Sequence, residues 1–199
     1  MTNGVNMGKC CGVNIIDYTH AFNLAAYLRY IEKALSYVQH VQLKGVENIN
    51  IYDKSPENFP IVARGGYCAP TLEKGADLNI YLDQNLGHML SLHKKRNKFT
   101  DVLDGIFVHT FGKLFIVDTL FHELGHHIYN ATSTEIAKTD DKASEEYANE
   151  YAIEMYGKMY PLAQRHYGII NGLYHLIYWR RILKDNETKR IKYEGTGSA

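Results

Sequence analysis

The spacing of apolar residues changes along this chain and divides it into segments. Between residues 20 and 43, Phe22, Leu24, Ala25, Leu28, Ile31, Leu35 and Val38 form one broad stripe, as on an amphipathic helix. Three short stretches follow, Asn48–Tyr52, Ile61–Ala69 and Asp77–Leu82, each punctuated by Gly, Pro, Asn or Asp. They read as strands, and the alternation from Asn79 to Leu82 suits a half-buried one. Residues 85–112 fit two patterns, a short helix capped by Thr100 or a fourth strand at Ile106–Thr110. From Val117 the helical period returns, with Val117, Leu120, Phe121, Leu124 and Ile128 on one stripe. A polar connection, Ala131–Lys142, leads to a helix over 143–158. Pro161 then suits the first turn of a last helix over 162–185. The pattern predicts an α+β fold: a small mixed or antiparallel sheet packed on the N-terminal helix and the helix from Val117, with C-terminal helices beyond. The 199 residues suit one domain, with 1–19 an N-terminal extension and 186–199 a C-terminal tail.

Composition narrows the function classes. Lys and Arg balance Asp and Glu at 22 each, so the basic footprint of a nucleic-acid binder is missing. The run Arg180, Arg181, Lys184, Lys189, Arg190, Lys192 reads as a solvated helix end and tail. The N-terminus is polar, without the apolar core of a signal peptide, and no stretch approaches the ~18 apolar residues of a membrane span. A cytoplasmic protein without a membrane partner is the expectation. Cys10, Cys11 and Cys68 do not make a disulfide framework, so reduced thiols are expected. There are no internal repeats, and nothing bears on oligomeric state.

The chemistry concentrates at His122-Glu123-Leu124-Gly125-His126. Histidines four apart on a helix share a face, with Cβ atoms roughly 5–6 Å apart, so both rings reach one ion. They fall opposite the apolar stripe. Glu123 lies about 100° around the helix from His122, placed to hold an attacking water. This spacing is that of zinc-dependent hydrolysis. The chain has 10 histidines, so the motif needs a helix and a third ligand as context. Gly125 is a weak helix former, about 1 kcal/mol worse than alanine, which close approach by a neighbouring element would offset. His88, His93 and His109 have no competing ligand spacing.

A catalytic zinc takes three protein ligands and leaves a position for water. Tyr129 and Thr132 stand where a metzincin would have Gly and His, excluding that class. Downstream, Glu145, Glu146 and Glu150 compete. With about 100° per residue, Ala148, Ala152, Met155 and Tyr156 share the direction of Glu145, whereas Glu146 and Glu150 point roughly 100–140° away. Glu145 is therefore favoured, with Glu146 as the alternative. Small Ala148 and Ala152 would let this helix pack closely on the first. Asn149 could hydrogen-bond a ligand histidine from outside. Cys10 or Cys11 is a further candidate for a fourth, latent ligand.

His122-Glu123-x-x-His126 followed by Glu145-x-x-Ala148-Asn149-x-Tyr151-Ala152 resembles the gluzincin clan of metallopeptidases. Within it, the second run is similar to that of the ImmA/IrrE family and, less closely, of the membrane peptidases related to the CAAX-processing enzyme. Small archaeal minigluzincins are similar too. The resemblance covers roughly residues 60–156. Many gluzincins carry aspartate where this chain has Asn149, which supplies no charge. The resemblance implies a zincin-like fold whose C-terminal helices carry the third ligand. It also implies that a peptide or protein substrate lies along a sheet edge, for which Ala63–Ala69, with its two glycines, is the candidate.

The resulting expectation is a zinc metalloendopeptidase. His122, His126 and Glu145 hold Zn2+, and Glu123 takes the proton of the attacking water and passes it to the leaving amine. Tyr151, His166, Tyr167, Asn171, Tyr174 and His175 are candidates to stabilise the oxyanion. The alternative is a zinc-binding regulatory or interaction module of the same fold without proteolytic activity.

Overall fold

Two strands carry nearly the same alternating sequence. In β3 (Val46–Tyr52) and β5 (Ala76–Tyr81) the parallel register sets Asn48 beside Asp77, Ile49 beside Leu78, Asn50 beside Asn79, Ile51 beside Ile80 and Tyr52 beside Tyr81. The computed structural model that gives this register describes residues 4–19, 25–53, 64–82, 113–134 and 140–161. Side chains in a strand alternate between faces, so the pairing makes one apolar face and one polar face.

Among the described residues the sheet has five strands in the order β1-β2-β3-β5-β4, a mixed α+β arrangement. β1 (Val5–Cys10) and β2 (Val13–Asp17) form an antiparallel hairpin closed at Cys10 and Val13. The two intervening residues, Cys11 and Gly12, both have positive φ, 51° and 90°, the signature of a tight turn matched to strand twist. β2 pairs in parallel with β3, and β4 (Gly65–Cys68) pairs antiparallel with β5 at the other edge. Helix α1 (Ala25–Ser36) connects β2 and β3 and packs against α2 (Lys113–Thr132). Helix α3 (Asp141–Met159) runs beside α2.

Ile15, Ile49, Ile51, Leu78 and Ile80 are fully buried on the apolar face, as are Val117, Leu120, Phe121 and Leu124 of α2. Each such side chain contributes about 1.5–3 kcal/mol on leaving water. The second face is polar yet also buried, and its groups are paired across strands. Asn14 donates to Asn48 (3.0 Å), Asn48 to Asp77 (2.9 Å) and Asn50 to Asn79 (3.0 Å), while Lys74 closes the first row by an ion pair to Asp77. Each of these bonds is worth about 1 kcal/mol net, but removing one partner would strand a buried polar atom at about 1–3 kcal/mol.

The structure departs from the sequence expectations in three places. Residues 5–17, read as an extension, form the first two strands. The helix expected over 20–43 ends at Ser36, where the amides of Tyr37 and Val38 bond three residues back to Ala34 and Leu35; a separate 3-10 turn, His40–Leu43, follows. Of the strand expected at Ile61–Ala69, residues 61–63 lie outside the described residues, and Gly65–Cys68 form a strand. Residues 85–112, the last helix over 162–185 and the tail from 186 lie outside the described residues. The chain divides into two units, Met1–Met159 and Tyr160–Ala199. Every element above belongs to the first. Among the described residues no helix is long and apolar enough to cross a membrane.

Candidate metal centre

Gly125 and Ala148 determine how closely α2 and α3 approach. A Cβ placed on Gly125 would come within 2.6 Å of the Ala148 Cα, so only glycine permits this crossing. Ala148, Ala152, Met155 and Tyr156 are buried along α3, as its periodicity predicts. The close crossing brings Glu145, almost one turn before Ala148, to the His122–His126 face of α2.

There the three side chains converge. His122 Nε2 and His126 Nε2 are 3.1 Å apart, and the carboxylate of Glu145 lies 3.5 Å from the first and 3.4 Å from the second. An ion holding nitrogen and oxygen donors at about 2.0–2.1 Å in a tetrahedron separates them by about 3.3–3.4 Å. The donor set and its spacing fit zinc. Among the described residues this is the one group of three acidic, cysteine or histidine ligands close enough to share a metal ion. Glu145 remains 59% exposed, so it reaches the histidines from the rim of the cleft and not from the packed face of α3. Glu146 pairs instead with Lys142 at 3.7 Å, and Glu150 is exposed.

His126 Nδ1 meets the Ser144 hydroxyl at 2.8 Å. With Nδ1–H donating to that oxygen, the lone pair of Nε2 is left facing Glu145 and His122. Asn149, the residue expected to make such a contact, is exposed, and Ser144 is the residue at hydrogen-bond distance from His126. The N-terminal turn of α3 thus supplies both a candidate ligand and a hydrogen-bond partner for a second one. Burial lowers both histidine pKa values, and for His122 the adjacent His126 lowers it further. Burial thus favours the neutral ring, the form that ligates a metal, against the opposing pull of Glu145.

Glu123 differs from these ligands. It is only 5% exposed. Burial, with Glu145 nearby, pushes its carboxyl up to about 8, and Arg64 pulls it part of the way back. Its position comes from β4, which runs along the same side of α2. Arg64, just before β4, pairs with Asp118 at 3.2 Å. A Cβ on Gly65 would collide with Glu123 Oε1 and, at 2.6 Å, with Thr119 Cγ2. Farther along, the ring of Tyr67 packs edgewise on His127, and its hydroxyl accepts from Asn130 at 3.2 Å. The candidate edge is therefore the last strand of the sheet, with Gly65 directly over the candidate base.

His127 escaped the sequence reading because it adjoins the motif without ligand spacing. It is buried on another face of α2, and its Nε2 meets the Lys44 carbonyl at 3.1 Å, tying the helix to the segment before β3. Of the oxyanion candidates only Tyr151 is described; its hydroxyl donates to Gln42 at 3.4 Å. Cys10 and Cys11 lie at the β1 edge, four strand spacings or about 19 Å across the sheet from β4. Neither is placed as a latent ligand of this centre.

Comparisons with protein-family models, with curated proteins and with solved structures return no match for this chain.

Proposed function

We propose that the protein is a zinc-dependent hydrolase of the zincin type, and more narrowly a peptidase resembling the gluzincins. The observation that carries the reading is the convergence of His122, His126 and Glu145 within one ligand shell, with buried Glu123 beside them under an edge strand. Three donors leave one position of a tetrahedral ion for water or substrate. Zinc, when bound there, supplies Lewis acidity, acidifying water and polarising a carbonyl.

The protein's own groups do the rest. Glu123 takes the proton of the attacking water and returns it to the departing amine, a role its position next to the ligands allows. A positive ion beside it favours its charged form, against the burial that opposes it. Ser144 orients His126. Among the described residues the outer side of β4 has no strand partner, so its backbone groups would take an extended peptide as a further strand, passing beside Glu123. A structural metal site has no use for a buried carboxylate in that place, which favours hydrolysis over a purely regulatory module.

The test is cleavage of a proteome-derived peptide library by the wild type and by Glu123→Gln. The wild type should cleave in a chelator-sensitive manner, and Glu123→Gln should lose cleavage by at least about 10²-fold while retaining zinc. Equal cleavage by both proteins, insensitive to chelator, would overturn the enzymatic reading. Zinc bound without cleavage by either would overturn it in favour of the regulatory module.

A further inference from the structure

The other edge of the sheet carries a second group of metal-seeking atoms. Cys10 ends β1 and Cys11 begins the turn. Consecutive side chains on a strand point to opposite faces. The positive φ of Cys11, 51°, breaks that alternation and brings the two sulfurs to 3.8 Å. Both cysteines are half-buried, and the Cys11 thiol donates weakly to the Leu35 carbonyl at 4.0 Å, near the end of α1.

We propose that Cys10 and Cys11 form a bidentate site for a soft, thiophilic ion, such as trivalent arsenic or a d10 cation. The separation is that of two sulfurs on one tetrahedral d10 ion: with metal–sulfur bonds of about 2.3 Å two thiolates stand about 3.8 Å apart, and the narrower angle at trivalent arsenic draws them somewhat closer. Soft thiolates select ions of this kind. A disulfide fits the pair less well. Adjacent Cα atoms are held about 3.8 Å apart, below the 4.4–6.8 Å usual for a disulfide, so that bond would be strained and readily reduced. Burial and the neighbouring Cys11 push the Cys10 thiol up to about 11. It therefore stays protonated until an ion displaces the proton. Cys68, on β4, stands apart and accepts from Asn79 at 3.3 Å.

The probe is phenylarsine oxide with the reduced, full-length protein. Two As–S bonds form, two S–H bonds break, and the arsenic-bound oxygen leaves as water with no change of oxidation state. Intact mass should show one adduct per chain that survives excess monothiol and is released by a dithiol. Cys10→Ser and Cys11→Ser should each weaken it by about 100-fold or more, and Cys68→Ser should leave it unchanged. Because a serine at the turn can disturb the hairpin, wild-type protein is also alkylated with and without the arsenical. Cys10 and Cys11 should be protected about 10-fold or more, and Cys68 not at all. Cd(II) titration of His122→Ala should still produce a thiolate charge-transfer band, absent when Cys10→Ser is added. Failure of the wild type to form the adduct, or an adduct protecting Cys68 equally, would overturn the proposal. The zinc reading is unaffected either way.

Discussion

The candidate ligands and the candidate base are close enough for Glu145 to raise the Glu123 carboxyl, yet different parts of the fold hold them. The candidate ligand side chains His122, His126 and Glu145 are 22%, 14% and 59% exposed, and two helices bring them together where Gly125 meets Ala148. Glu123 is 5% exposed and is confined by a strand, where Gly65 lies over its carboxylate. A metal must enter and exchange at a rim, whereas a base profits from a site shielded from water. Under the proposed function one helix would serve both needs, because residues 122 and 126 share a face and residue 123 points about 100° away.

This division predicts separable phenotypes. Removing a ligand should have the largest effect: His122→Ala or His126→Ala should weaken zinc binding by more than about 100-fold, beyond the 10–100-fold typical of losing an outer partner. Competition with a chromophoric chelator measures it, and zinc bound as tightly as in wild type would break the distinction. Gly65→Ala should act on the β4 side of α2, where its methyl meets Glu123, Thr119 and the Asn79 carbonyl. Its methyl must displace the Glu123 carboxylate, so peptide cleavage should fall by about 10²-fold, as for a reacting group misplaced by about 1 Å, with zinc affinity unchanged. Gly125→Val should act on the helix crossing instead. Overpacking there should cost about 1–3 kcal/mol in denaturant unfolding and weaken zinc in parallel. Ser144→Ala should be mildest, lowering zinc affinity about 10-fold through His126 with little change in melting. A loss of cleavage in Ser144→Ala without any loss of zinc would assign Ser144 to the other half of the comparison.

Parts of this arrangement were legible in the sequence. The stripe from Val117 to Ile128 and the buried run Ala148, Ala152, Met155, Tyr156 follow from helical period, and Gly125 in a helix signalled a close neighbour. The alternation of β5 was visible because its polar residues, Asp77 and Asn79, fall on every second position. The hairpin at Val5–Asp17 was not. Its first strand, Val-Asn-Met-Gly-Lys-Cys, is exposed along most of its length, so no apolar face marks it. Its turn depends on positive φ at a cysteine, which residue type does not announce. The end of α1 was hidden for a different reason, since Val38 is buried beyond the last helical turn and prolongs the apparent stripe. Ser144 and Gly65 owe their places to contacts between elements far apart in sequence, which periodicity within one element does not record. Glu145 was favoured for pointing into a packed face, whereas the structure places it at an exposed rim.

The most direct test is the metal content of purified, zinc-loaded and dialysed protein, measured by elemental analysis beside single variants of each of the four residues. One zinc per chain is predicted for the wild type and Glu123→Gln, with loss from His122→Ala, His126→Ala and Glu145→Ala. A wild type that retains no zinc, or an His126→Ala protein that retains a full equivalent, would contradict the account.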